Sequence, residues 1–428
     1  MENILILSYY YPPCKGVSAY RPLSWAKDFH KFGFKPTIIT RKWKGQENKW
    51  EDYLEEAAGE VEIIETVNSK IIYLPYKRNR YLKLAEKKWI KCIYFNKLIF
   101  FYLAVIGKFQ LEIDAYTCFK DYLFNHLKNE HYKLIIVSTP PLNSIRLVYE
   151  AHKKFNIPFV IDFQDSWNNL ILAENYSPGI KEKFYNFLRR MYLRRWLKPS
   201  LFNITVTPAI GDMIKKINAK PVKIITNGFE PDAYLSKSIN PSSQLFNISV
   251  MGTIHPMQDI SIMIDGLNLF LKDCDSEKVR LNFIGLDSFP EMSKYVKEVL
   301  PNKFLSISAR VSMEEAVEQT LASNILLFPS YKGYKGYYTA KIFEYLGAGR
   351  NILMVPGNND IVDDLIKKTN SGKIANSPEE FKEILLTWYK EWQTSGTIKY
   401  YGIKDSINQY TRENQNRLLC EAIKEYIS

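Results

Sequence analysis

The sequence predicts an α/β protein made of two doubly wound parallel-sheet domains, and three observations carry that prediction. The chain has 428 residues, too many for one compact core. A strand, loop, helix and second strand follow one another repeatedly, and such βαβ units build parallel sheets. That grammar runs on both sides of a polar stretch, EPDAYLSKSINPSSQL at residues 230–245, whose Pro and Ser read as a linker. Hydrophobic residues make up 46% of the chain and charged residues 24%, so the composition is globular.

The first domain, residues 1–230, opens with a strand at 4–10 and the loop YPPCKGVSAYRP. A helix from Pro22 to Phe32 ends at Gly33, a helix-stopping residue, and a strand at 36–40 closes the first βαβ unit. The GxGxxG spacing of dinucleotide sites is absent. Residues 75–109 mix cations, aromatics and aliphatic runs with almost no acid. Trp89, Tyr94, Phe95, Phe100 and Phe101 lie there among Lys and Arg, as in a helix lying on anionic lipid, although a buried helix with a wet basic edge has the same pattern. Strands at 134–138, 159–162, 203–206 and 222–225 then alternate with helices reaching Phe155, over 181–198 and over 208–217. The helix at 181–198 holds seven cations and one acid.

The second domain, residues 246–403, restarts with a strand at 247–251 and Gly252-Thr253. Helices follow at 260–271, 291–300 and 313–322, with strands at 280–284, 304–307 and 325–328 between them. After the strand at 351–355 come helices at 360–369 and 378–394. A last helical stretch, 404–428, is expected to rejoin the first domain.

The net charge of +12 is uneven: residues 1–230 hold 36 of the 58 basic and 22 of the 46 acidic residues, a net of +14 that leaves −2 for the rest. An anionic partner for the first half follows. Five scattered cysteines without a CxxC pair suit reduced thiols in a cytoplasmic compartment. The N-terminus reads as a first strand, not a signal peptide, and the longest apolar run, Leu98 to Ile106, is far short of the roughly 20 residues a bilayer span needs.

Two stretches carry candidate chemistry. In YYTAKIFEYLGAGRNILMV, residues 337–355, a helix opens just past a strand end, where free N–H groups and a dipole attract phosphate. Thr339, Lys341 and Glu344 at its start suit a nucleotide-sugar: Lys341 for the diphosphate, Glu344 for paired hydroxyls. Taken alone, the stretch reads equally as an amphipathic helix with Lys and Glu on its wet face. Asp162 and Asp165 follow another strand end and suit acid/base work or a grip on sugar hydroxyls; a helix cap and an ion pair to arginine is the plainer reading. His255 is an isolated loop histidine, and no metal signature occurs.

Tyr11-Pro12-Pro13 with Gly16 and Arg21, Thr139-Pro140-Pro141, DFQDSW at 162–167 and Thr226-Asn227-Gly228-Phe229 come in one order, followed by Gly252-Thr253, Phe283-Ile284-Gly285 and KIFEYLGAGRNIL at 341–353. In that order and spacing the chain resembles retaining glycosyltransferases of the GT-B fold, most like the family-four group that builds bacterial surface polysaccharides. The resemblance implies two Rossmann-like domains facing across a cleft, with the donor in the second and the acceptor in the first. It implies a metal-independent hexosyltransferase with no cofactor, the nucleotide-sugar (a UDP-sugar) being a co-substrate. Glu344 would grip the donor ribose. Tyr338, Thr339, Lys341 and Ile342 would hold the diphosphate, while Gly16, Gly252, Thr253, His255 and Arg310 complete the donor site. Lys341 would stabilise leaving-group charge, and Asp162 or Asp165 would orient an acceptor hydroxyl. The acceptor would be lipid-linked or a polysaccharide, reached from the cytoplasmic face of the membrane through the basic first domain; no nucleic-acid reader motif is present.

The chain departs from the family pattern in three places. Gly336 stands where the first glutamate of ExxxxxxxE belongs, the basic residues expected after Gly252 are lacking, and Gln164 replaces the arginine of DxRDxW. These departures keep two alternatives open: a nucleotide-sugar epimerase of the same fold, or a non-catalytic donor-binding partner of another transferase.

Overall fold

The computed structural model describes residues 1–47, 50–78, 97–98, 101–102, 104–105, 115–166, 177–255, 257–331 and 333–427. These residues divide into two units, one from residues 1–226 and 415–427, the other from residues 227–414. Trp89, Tyr94, Phe95, Phe100 and Trp167 lie outside the described residues, as does most of the basic stretch at 75–109.

The first unit is an eight-stranded sheet in the order β3-β4-β2-β1-β5-β6-β7-β8. Its strands are β1 (Glu2–Ser8), β2 (Phe34–Arg41), β3 (Glu62–Glu65), β4 (Lys70–Leu74), β5 (Leu134–Thr139), β6 (Phe159–Phe163), β7 (Asn203–Thr205) and β8 (Val222–Ile224). All neighbours pair in parallel except β3 with β4. Near-continuous apolar runs such as Ile4–Leu7 and Leu134–Val137 are fully buried, as strands covered on both faces must be. The helices are α1 (Tyr20–Asp28), α2 (Ala115–Asn129), α3 (Asn143–Phe155), α4 (Ile180–Leu197) and α5 (Pro208–Lys215). A short 3₁₀ turn carries α1 on to Gly33, which caps it with φ +93°. Strand order reverses between β1 and β5, the switch point at which open α/β sheets bind ligands. A concavity of about 800 Å³ lies at the other, amino-terminal end of β5 and β6, lined by Tyr132, Pro158 and Tyr426 among others.

The β3–β4 hairpin is absent from the sequence reading for a physical reason. β3 is exposed along its whole length, and Glu62 and Glu65 bracket Ile63-Ile64, so no inside–outside alternation marks it. Charge on an edge strand is how sheets avoid pairing with other chains.

The second unit is a six-stranded, all-parallel sheet in the order β11-β10-β9-β12-β13-β14. Its strands are β9 (Phe246–Met251), β10 (Val279–Ile284), β11 (Leu305–Ile307), β12 (Ile325–Pro329), β13 (Asn351–Val355) and β14 (Gly372–Ile374). This is the doubly wound order in full, with its switch point between β9 and β12. The helices are α6 (Pro231–Leu235), α7 (Ser261–Asp273), α8 (Pro290–Val299), α9 (Met313–Leu321), α10 (Ala340–Ala348), α11 (Ile361–Thr369), α12 (Pro378–Ser395) and α13 (Lys404–Asn408), and α14 (Arg412–Ile427) begins here. Two apolar clusters fill the unit, one around Phe246, Phe270 and Trp392, the other around Phe328, Phe343 and Leu346.

The stretch at 230–245 is not a bare linker. Pro231 at the first helical position and Asp232 in the first turn start α6. That helix buries Tyr234 against Phe229, with ring centroids 6.2 Å apart. No helix among the described residues is long and apolar enough to cross a membrane.

Candidate functional site

The second unit's switch point is built by α10 and the loops after β9 and β12. β9 and β12 pair only at Ile248–Ile325 and Ser249–Leu326, and beyond those pairs side chains replace the ladder. The fully buried Tyr345 hydroxyl accepts from Met251 N–H at 2.9 Å and donates to the Leu327 carbonyl at 3.2 Å. Gln258 does the same one layer out, accepting from His255 N–H at 2.8 Å and donating to the Pro329 carbonyl at 2.6 Å. Both lips of the crevice are thereby fixed to one another.

Thr339 is the N-cap of α10 in extended conformation, yet its side chain makes no capping bond. Its hydroxyl is buried without a partner among the described residues. The first turn of α10 therefore keeps its unanswered N–H groups and the positive end of its dipole. Lys341 sits in that turn, half-buried, and its ammonium donates to the Thr253 carbonyl at 2.6 Å. No carboxylate among the described residues pairs with it, and burial pushes its pKa down to about 8. Gly252 makes this possible: its φ is +74°, and a Cβ there would stand 2.8 Å from Lys341 Cε. A half-desolvated cation beside an uncapped helix start is a site for a multiply charged oxyanion.

Glu344, one turn on, is half-buried and partly engaged. Tyr234 donates to Oε2 at 2.6 Å and the Arg412 guanidinium to Oε1 at 3.3 Å. Burial and this carboxylate hold the Tyr234 hydroxyl protonated, well above its ordinary range. An ionised carboxylate has about four lone-pair sites, so two remain for ligand hydroxyls. Gly347 lets the helix lie close to the same aromatic pair, since a Cβ there would be 2.7 Å from Phe229 and Tyr234.

Other expected residues are placed differently. Ile342 is fully buried in the core, so only its backbone N–H faces the helix start. The Tyr338 hydroxyl turns away, donating to the Ile361 carbonyl at 3.2 Å while its ring packs 5.3 Å from Phe343. Both are held by packing because they fall on the inner face of the turn. His255 is exposed, with its ring 6.2 Å from that of Tyr331. Arg310 is exposed in the loop between β11 and α9. Gly336 has φ +71° and donates its N–H to Asp360 Oδ2 at 2.6 Å. A glutamate there would be strained, so its absence is written into the backbone of the loop.

In the first unit, Asp162 lies within β6 rather than past its end, is fully buried, and makes the arginine ion pair of its plainer reading but not the helix cap. Arg21 Nε donates to its oxygens at 3.0 and 3.2 Å, and Ser138 donates at 3.2 Å. Burial pushes its carboxyl up against the pull of Arg21 and Ser138. Arg21 also donates to the Thr226 carbonyl at 2.9 Å, and Gln164 donates to Ser138 Oγ at 2.6 Å and the Ser18 carbonyl at 3.2 Å. Asp165 is half-buried and accepts from Ser166 N–H at 2.8 Å. Gly16 has an ordinary φ of −67° at the start of a 3₁₀ turn, Val17–Ala19.

Sequence reasoning missed Tyr234, Arg412, Gln258 and Tyr345 as site residues, and also Tyr331, Tyr334 and Tyr337 of YKGYKGYY at 331–338. The Tyr331 ring centroid lies 6.2 Å from Tyr334 and 5.7 Å from Tyr337, beside the crevice. The triplet spacing of that loop was a signal available in the sequence; the contacts of Glu344, from residues 110 and 68 positions away, were not.

No family model matches the chain. An uncharacterised glycosyltransferase of Methanocaldococcus jannaschii is 23% identical over 262 residues, 58% of this chain and 62% of that protein. The matched stretch thus spans less than two thirds of that relative's length. Among solved structures, sucrose-phosphate synthase from Thermosynechococcus elongatus superposes with a TM-score of 0.64 at 11% identity, covering 99% of both chains. Anabaena HepE in complex with UDP and glucose superposes with a TM-score of 0.60 at 13% identity, covering 99% of this chain and 100% of that one. Likeness at these identities establishes architecture: the chain has the two-domain α/β fold, GT-B, of these glycosyltransferase structures.

Proposed function

We propose that this protein is a glycosyltransferase that takes a UDP-sugar at the switch point between β9 and β12. It passes the sugar, with retention, to a lipid-linked or polysaccharide acceptor held by the first unit. The observation that carries the reading is the uncapped start of α10 with Lys341 beside it, free of any described carboxylate. The glycosyltransferase relative and the UDP-bound neighbour support it. Lys341 and the α10 N–H groups would meet the charge that builds on the departing diphosphate, so the step needs no metal. Glu344 would take the ribose hydroxyls, and Asp165 would orient the acceptor. Asp162 would act only by holding Arg21. The basic first half would place the enzyme on the cytoplasmic face of the membrane.

Calorimetric titration with a panel of nucleotide-sugars tests the donor half. Binding of a UDP-sugar lost in both Lys341→Ala and Glu344→Ala supports it; unchanged binding in both removes it. Gly336 favours one alternative, a donor-binding partner without turnover. Donor bound normally, with no transfer or epimerisation in a single-turnover assay, would establish that alternative.

A further inference from the structure

The outward face of α4 in the first unit is apolar along its centre. Ile180, Phe184, Phe187 and Met191 recur every third or fourth residue and are 89%, 41%, 64% and 46% exposed. Leu188, Leu193, Trp196 and Leu197 face the other way and are buried. The stripe continues onto a second segment. Phe101 stacks on Phe184 with centroids 5.7 Å apart, and the Tyr192 hydroxyl donates to the Val105 carbonyl. Leu98, Tyr102 and Val105 beside it are exposed as well. Single exposed apolar residues are ordinary; a stripe along a helix that continues onto its neighbour is not.

Cations border the stripe. At 3.6 residues per turn, Lys183, Arg190 and Arg194 fall along one edge and Arg195 along the other, all exposed. Among the described residues no carboxylate pairs with Lys183, Arg190 or Arg194, and Glu182 is the one acid of the helix.

We infer that this surface docks into the headgroup region of an anionic lipid bilayer, the apolar stripe immersed and the cations on the lipid phosphates. An apolar centre with cationic flanks matches that boundary, where one surface is oily and the next negatively charged. A second copy of the chain fits less well, because a two-fold contact through the stripe sets the two cationic borders against each other. Nucleic acid would use the cations but leave Ile180 and Met191 in water. The inference gives the membrane part of the proposed function its contact surface, and it stands whether or not the chain transfers sugar.

Co-sedimentation of the full chain with vesicles, without donor or acceptor, tests it. At low salt, partitioning onto phosphatidylcholine vesicles containing phosphatidylglycerol is expected to exceed that onto phosphatidylcholine alone by about tenfold or more. Phe187→Ser/Met191→Ser should lower it about tenfold with thermal unfolding unchanged, since both side chains are exposed. Arg190→Glu/Arg194→Glu should abolish the preference for anionic vesicles. Wild-type partitioning that both double variants leave intact overturns the inference, as does a failure to bind either vesicle. A wild-type dimer in sedimentation velocity that Phe187→Ser/Met191→Ser converts to monomer assigns the face to a second copy instead. Loss of donor binding in Lys341→Ala with normal vesicle binding separates the two readings.

Discussion

The two switch points have one topology and opposite electrostatics. Between β1 and β5 the buried cation has a carboxylate: Asp162 answers Arg21, with Ser138, Gln164 and the Thr226 carbonyl around the pair, although Arg21 Nη2 and Thr226 Oγ1 stay without a partner among the described residues. Between β9 and β12, among the described residues, a cation has only a carbonyl for a partner, beside a helix start that its own N-cap leaves open. Strand order alone therefore does not make a ligand site. What sets the second apart is a cation that no described carboxylate answers, beside an open helix start.

Breaking the buried ion pair should show the largest effect. Asp162→Ala leaves the Arg21 charge buried and unpaired, and should destabilise the chain by about 3–5 kcal/mol in chemical denaturation. Replacing both partners, Arg21→Met with Asp162→Leu, should recover much of that loss; failure to recover would mean that Asp162 has duties beyond the pair. The open site should respond in function instead. Lys341→Ala is expected to lower kcat/KM about 100-fold, roughly 2.7 kcal/mol, with little change in denaturation midpoint.

The third test uses pH. The ordinary lysine value is 10.5 and burial lowers Lys341 to about 8, so the ammonium is charged below pH 8 and neutral above it. Affinity for a diphosphate should fall as pH rises through 8, by up to about tenfold per unit, and Lys341→Arg should flatten the profile. Stability moves the other way: between pH 8 and 10.5 the unfolded chain holds a proton that the folded one has released, so stability rises with pH there. The smallest effect belongs to Tyr234→Phe. Removing one hydrogen bond to Glu344 should cost about 1 kcal/mol, seen as a several-fold rise in donor KM at constant kcat.

Most strands and helices are legible in the sequence because burial on both faces writes long apolar runs, as at Ile4–Leu7 and Ile325–Phe328. β3 escapes because its side chains are all wet, and α6 because five residues leave no period to read. At the candidate site, Lys341 and Gly252 are legible since a helix start and a strand-end glycine are local patterns. The inward packing of the Tyr338 and Ile342 side chains is not legible, because adjacency in sequence says nothing about which side of a turn faces solvent. Glu344's partners belong to distant segments, and only folding reveals them.

The Tyr345 wedge has a consequence for how such a protein changes over generations. Since its hydroxyl, not the ladder, joins the ends of β9 and β12, the sheet is already complete before the loops that start at Thr253 and Tyr331. Those loops can be lengthened, shortened or exchanged without unpairing a strand, so ligand preference can drift while the scaffold that presents it stays under separate selection.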